Sequence, residues 1–152
     1  MLTIRPIEDS DLDTLFEHQS DPESSRMAAF PSRDREGYMA HMAKIRKDPN
    51  NIILAIENDG AIVGEILSWE TDRIRKIGYW IGKEHWGKGI ATEALAILVQ
   101  DLTQRPLFAE VADHNAGSRK VLERNGFFAV TVNTVNDPLY GTIDLMLYCL
   151  DA

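Results

Sequence analysis

One stretch constrains this chain more than any other: Ile77-Gly78-Tyr79-Trp80-Ile81-Gly82-Lys83-Glu84-His85-Trp86-Gly87-Lys88-Gly89-Ile90-Ala91. An apolar strand runs into a glycine-spaced turn, and a long apolar helix leaves it. The glycines bracket Lys88 and permit a tight bend whose backbone N–H groups converge at a helix start. Such a bend is a cradle for phosphate, with Lys88 as an added positive charge. Neither common nucleotide fingerprint is present. Gly87-Lys88-Gly89-Ile90-Ala91-Thr92 lacks the third glycine of a dinucleotide turn, and no Gly-Lys-Ser/Thr exists for a P-loop. Taken alone, the turn reads as a phosphate site or as an ordinary strand-to-helix connection.

The rest of the chain supplies strands and helices around this turn. Leu2 to Arg5 alternates apolar and polar ahead of Pro6, which predicts a first strand. Glu8 to Asp13 is an acid-rich helix start with Ser10 or Asp9 as cap. Leu12, Leu15 and Phe16 give that helix one apolar stripe, and Asp21-Pro22 ends it. Residues 22 to 31 carry no clear period. Ser32 reads as a second cap, followed by Tyr38, Met39, Met42 and Ile45 at helical spacing. Ile52 to Ile56 and Ala61 to Trp69 flank Asn58-Asp59-Gly60, a strong hairpin signal. Arg73 to Ile81 is the next strand, joined through Thr71-Asp72. A mostly apolar helix runs from near Gly89 to Leu102, then Leu107 to Val111 is a strand. Asn115 caps a helix that stops at Asn125-Gly126. Phe127 to Val132 and Ile143 to Leu150 are two last strands around Asp137-Pro138. The order is β-α-α-β-β-β-α-β-α-β-β, an α/β or α+β fold in one domain spanning residues 1 to 152. No linker, repeat or low-complexity tract interrupts it.

A second stretch bears on chemistry: Asp113-His114-Asn115-Ala116-Gly117-Ser118-Arg119, running on to Gly126-Phe127. Asn115 and Ser118 share the first turn of their helix. They serve as plain caps, or as a polar pair facing whatever the glycine turn holds.

Together these passages resemble the GNAT superfamily of acetyl-CoA-dependent N-acetyltransferases, nearest to the branch of ribosomal-protein N-terminal alanine acetyltransferases. Ile4-Arg5-Pro6 with Asp11-Leu12 matches the family's opening. Gly78 to Ile81 with Trp86 to Ala94 matches the CoA-binding core, and Asn115 to Arg119 with Gly126-Phe127 the later motif. The resemblance implies a mixed, mostly antiparallel sheet with a splayed central strand pair. It implies acetyl-CoA as co-substrate, with contacts from Tyr79, Trp80, Ile81, Trp86, Gly87, Lys88, Gly89, Ile90, Ala91, Asn115, Ser118 and Arg119. A backbone N–H near Trp80 or Ile81 would hold the oxyanion. Two departures stand out. Trp86 replaces the usual Gln or Arg, and Leu122 stands where many members carry a general-acid Tyr. Ser118 is then the candidate general acid.

The reaction implied is direct attack of a primary amine, of a small molecule or a peptide N-terminus, on the thioester. The amine must lose a proton first, because its pKa lies near ~10. Glu65, Glu70, Glu110, Asp113 and His114 lie on or beside the central strands. Glu110, alternating with Ala109 and Val111, is taken as the candidate base, and a water chain is the substitute. Phe30, Tyr38, Met39 and Met42 either pack the core or line the acceptor pocket. Arg26, Arg33 and Arg35 read a carboxylate or stay solvated. The rival readings are a CoA-binding regulatory module without turnover, motivated by Leu122, and a protein that binds another nucleotide.

Charge and cysteine usage narrow the partners. Acidic residues outnumber basic ones by 24 to 16, which argues against nucleic acid and suits a cationic amine or simple solubility. The single cysteine, Cys149, rules out a disulfide framework and a cysteine metal cluster, and no metal is expected. No apolar run approaches the ~20 residues of a membrane span. A cytoplasmic location and a homodimer are the matching expectations.

Overall fold

A computed structural model describes residues 1–152. Seven strands form one sheet in the order β1-β2-β3-β4-β5-β7-β6. They are β1 (Leu2–Pro6), β2 (Ile52–Asn58), β3 (Ala61–Thr71), β4 (Ile74–Ile81), β5 (Leu107–Ala112), β6 (Phe128–Asp137) and β7 (Gly141–Leu150). Every neighbouring pair is antiparallel except β4 and β5. The helices are α1 (Leu12–Ser20), α2 (Pro22–Ala28), α3 (Arg35–Lys47), α4 (Ile90–Asp101) and α5 (Ala116–Arg124). No helix is long and apolar enough to cross a membrane.

The parallel pair decides where a site can exist. β4 and β5 are in register only at Arg75–Leu107 and Lys76–Phe108. Beyond these residues the strands part, as expected for a splayed pair, and the β5-facing edge of β4 from Ile77 to Ile81 is left without a strand partner.

Each sheet face has its own core. On one face α4 buries Ile90, Ala94, Leu95 and Leu98 against Ile66, Ile77, Leu107 and Val111, with Leu122 of α5 joining them. An apolar helix of this kind is stabilised by roughly 1.5–3 kcal/mol for each large side chain it buries. On the other face Leu15 of α1 and Tyr38 and Met42 of α3 pack with Ile7 and Ala55. Tyr38 and Met42 are thus core residues, each 1% exposed.

The turns follow their chemistry. Asp59 and Gly60 both adopt positive φ, at 52° and 84°, and close the β2–β3 hairpin as read. The next hairpin does so without glycine: Asp72 and Arg73 have φ of 52° and 66°. Arg73 therefore belongs to the turn, and β4 begins at Ile74, one residue later than expected.

Four further boundaries differ. Residues 22 to 31, left unassigned, contain α2. Asp21 accepts from the Ser24 N–H and hydroxyl, both at 2.9 Å, and Pro22 occupies the first turn, where its fixed φ favours a helix. A proline read as a stop is also a start. Helix α1 begins at Leu12 and not at a cap on Ser10 or Asp9. Glu8 and Asp11 close a capping box around a single 3-10 turn, and Arg5 grips Asp11 through two bonds of 2.8 and 2.9 Å. Ser32 does not cap α3. Asp34 does, accepting from the Gly37 N–H at 2.7 Å. Finally, β6 and β7 continue past Val132 and before Ile143 into a tight connection, where Asp137 Oδ1 accepts from the N–H groups of Leu139 and Tyr140.

Candidate active site

A cavity of about 500 Å³ opens where β4 and β5 part. Tyr79, Trp80 and Ile81 form its back, Trp86, Gly87, Gly89, Ala91, Thr92 and α5 form its sides, and Ser24, Met27 and Ala28 of α2 cover it. The segment without a period in the sequence is thus the cover of the site.

The glycine turn presents donors to this cavity. Gly87 and Gly89 have φ of 77° and 75°, a region that glycine enters without strain. A β-carbon on either would meet nothing within 4 Å, so the space before the turn is open. The N–H groups of Gly87, Lys88, Gly89, Ile90, Ala91 and Thr92 donate to no group of the chain, the first inward bond being Glu93 N to Gly89 O at 3.1 Å. A row of free donors at the positive end of α4 favours an anion. Gly87, Gly89, Ala91 and Trp86 line the cavity, and the Trp86 indole is set by a 3.0 Å bond to Ile81 O.

Other expected contacts divide. Ile90 is buried in the core, and Lys88 is exposed outside the cavity lining. The Arg119 guanidinium turns away, bonding the Tyr148 hydroxyl at 3.2 Å and Asp113 at 3.2 Å. Lys120 and Arg124, four residues apart on the cavity-facing stripe that also holds Gly117 and Val121, are the cations of α5 that line the cavity. Spacing of three and seven residues along α5 from Gly117 could have revealed them. Asn115 lines the cavity and also caps α5, its Oδ1 accepting from Ser118 N at 3.2 Å.

The hydroxyl chemistry comes from two elements. Tyr79 and Ser118 oxygens lie 2.7 Å apart, and Tyr79 also donates to Ser118 O at 3.2 Å. Burial pushes the Tyr79 phenol up to about 12, so it stays protonated at neutral pH. Leu122, where the resemblance would place a tyrosine, is 1% exposed and packs in the core. Tyr79, expected only as a backbone contact, supplies a phenol from the strand.

The candidate bases also separate. Glu110 is exposed, pairs with Lys76 at 2.5 Å and does not line the cavity. His114 lines it, with Nε2 3.0 Å from Arg26 O of α2. Glu70 lies 3.7 Å from Arg75, and Asp113 is engaged by Arg119. Glu65 does not line the cavity either, but its surroundings differ from theirs. It lies opposite Trp80 on the neighbouring strand, hence on the same sheet face, and is 3% exposed. Gln19 Nε2 donates to its Oε1 at 2.6 Å, while Oε2 has no partner. Burial pushes its carboxyl up to about 7, the Gln19 bond opposing the rise. Trp80 itself lines the cavity, with its indole N–H bonded to His18 O at 3.1 Å and the Phe30 ring edge-on at 6.4 Å.

This arrangement has known counterparts. The family model described as "Acetyltransferase (GNAT) domain" matches residues 1–128. The chain belongs to the GNAT acetyltransferase family. It is 28% identical over 140 residues to N-acetyltransferase p20 of Bacillus licheniformis, itself uncharacterized, covering 83% of this chain and 78% of that one. Two solved structures share the fold. One is a ribosomal-protein-alanine N-acetyltransferase from Brucella melitensis, with a TM-score of 0.81 at 18% identity over 99% of each chain. The other is a spermidine N-acetyltransferase from Vibrio cholerae in complex with CoA and spermine, with a TM-score of 0.81 at 18% identity over 97% of this chain and 95% of that one. As a GNAT acetyltransferase the protein is an N-acetyltransferase that uses acetyl-CoA.

Proposed function

We propose that the protein moves an acetyl group from acetyl-CoA to a primary amine, of a small molecule or a peptide N-terminus, by direct attack on the thioester. The observation that carries the reading is one cavity lined both by Gly87, Gly89, Ala91 and Thr92 of the free N–H row and by the Tyr79–Ser118 hydroxyl pair. The free N–H groups would hold the pyrophosphate, aided by Lys120 and Arg124. The unpartnered edge of β4 at Tyr79 to Ile81 would pair with the pantetheine arm, and Asn115 would bond to it. A backbone N–H near Trp80 or Ile81 would meet the oxyanion.

Two proton transfers remain. Glu65, with a carboxyl near neutrality and a free oxygen, takes the ammonium proton directly or through one water. Its position beside Trp80 and its displaced titration favour it over Glu110, which Lys76 already neutralises. Ser118, drawing on the Tyr79 phenol 2.7 Å away, protonates the departing thiolate. The net charge of −8 favours approach of a cationic acceptor. The edge strand β6, with Phe128, Val130 and Val132 about half exposed, supports association of two copies, which sedimentation would reveal.

The test combines acetyl-CoA with a panel of polyamines and N-terminal peptides, following thiol release and product mass. Acetylation of at least one amine is expected. Absence of any thermal shift with acetyl-CoA or CoA would sink the donor assignment. CoA binding without turnover on any amine would sink the enzymatic one.

A further inference from the structure

Beside the cavity, and outside its lining, two histidines and a carboxylate meet. His18 comes from α1. Glu84 and His85 come from the 3-10 turn Lys83–His85, between the end of β4 and the glycine turn. One ligating atom from each lies within 4.8 Å of the others. Glu84 Oε1 is 3.5 Å from His18 Nε2 and 3.6 Å from His85 Nε2. These separations are long for hydrogen bonds. They are close to the roughly 3.4 Å between two ligands of a tetrahedral zinc ion bound at about 2.0–2.1 Å.

A further observation points to a missing partner. The His18 ring is buried, its Nδ1 has no partner, and Nε2, the nitrogen that faces Glu84, has only that distant carboxylate. A buried imidazole without one good hydrogen bond is uncommon and calls for a reason. Gly82 fixes where the ring sits. A β-carbon there would lie 2.6, 2.7 and 3.0 Å from Nε2, Cδ2 and Cε1 of His18, so glycine lets the imidazole face pack against the chain and leaves Nε2 at the cluster. Glu17 and Asp21 line the adjoining hollow and add negative charge, while Lys83 is engaged by Glu23. Glu84 is exposed, so water can complete the shell.

We infer that His18, Glu84 and His85 form a binding site for a divalent transition metal ion of the zinc type, with solvent as the remaining ligand. Two imidazoles and one carboxylate favour zinc, nickel or copper over magnesium and calcium, which take all-oxygen sets. The bound ion would fasten α1 to the turn that leads into Trp86 and Gly87.

The test uses tag-free protein stripped with chelator and titrated with zinc chloride, by calorimetry and by metal analysis after dialysis. One zinc ion per chain is expected, unaffected by excess magnesium, with a higher melting temperature and an X-ray absorption edge showing two imidazole ligands. His85→Ala and Glu84→Ala should each weaken binding by more than ~100-fold, since even outer partners of ligands cost 10–100-fold. Both side chains reach solvent, and a parent-like melting temperature without metal verifies that these variants fold. No saturable zinc uptake at micromolar concentration, or uptake unchanged by His85→Ala, overturns the proposal.

Discussion

The two halves of the cavity are built in different ways. The donor side, from Trp86 to Ala91 and the first turn of α5, is made by backbone: positive φ at Gly87 and Gly89, free N–H groups, and a cap at Asn115. The proposed acceptor side draws on side chains from elements far apart: Trp80 of β4, which lines the cavity, and behind it Glu65 of β3 with Gln19 of α1. Glu65 is buried and its Oε2 lacks a partner. A backbone cradle is tolerant, because its donors survive most side-chain changes. A buried carboxyl is not, because its charge depends on every neighbour. The donor side should therefore respond to substitution by graded loss of affinity, and the acceptor side by loss of turnover.

The largest effect should come from Glu65→Gln. Turnover should fall by ~10²–10⁴-fold, with CoA affinity unchanged. In the parent, kcat/KM should rise with pH through about 7, and this limb should vanish in the variant. Stability moves the opposite way. The folded carboxyl titrates above its ordinary 4.5, at about 7, so its contribution is complete below pH 4.5 and declines as pH rises through 7. Above that window Glu65→Gln should be the more stable protein, by up to about 3 kcal/mol, in thermal or urea melts across pH. A variant equally active, or one that loses CoA binding as well, would erase the division between the halves.

Ser118→Ala comes next. The loss of turnover should sit near the low end of the same range, ~100-fold, because the Tyr79 phenol remains as a donor. Tyr79→Phe should lose less than the double variant, a coupling that a two-mutant cycle on kcat measures. Gly89→Ala probes the backbone side. A non-glycine residue at φ 75° carries strain of about 1–2 kcal/mol; the free turn relieves it by shifting its N–H groups, and restoring them on binding should weaken CoA affinity roughly tenfold in a titration. Turnover at saturation should hold. The smallest effect belongs to Glu110→Gln. It breaks only the exposed pair with Lys76, so kcat and melting temperature should stay within error of the parent. A large drop in kcat would return the proton-accepting role to Glu110.

Much of the fold was legible because local residues encode local backbone. Asp59-Gly60 announced its hairpin, Asn115 its helix start and Gly126, at φ 86°, its helix stop. The misses were places where one residue type has two uses. Pro22 both ends α1 and begins α2, and with α2 went the cover of the cavity. Among Ser10, Asp9 and Ser32, hydroxyl and carboxylate caps were equally allowed. Asp34 holds the start of α3 through the Gly37 N–H, while Asp11 precedes α1 with its carboxylate bound to Arg5 and the Glu8 N–H.

By itself the sequence determined the donor half of this acetyltransferase: a strand, two glycines free to take positive φ, and a helix start with its amides unpaired. Such features depend on a few consecutive residues, whose backbone preferences act before any tertiary contact forms. Only the folded chain decided the chemistry beside it. Tyr79 meets Ser118 across 39 residues, and Gln19 meets Glu65 across 46. These meetings are set by strand register and helix packing, to which a residue's sequence neighbours are blind. The same holds for His18 at Glu84 and for the displaced titration of Glu65, which arises from burial and from no property of glutamate alone.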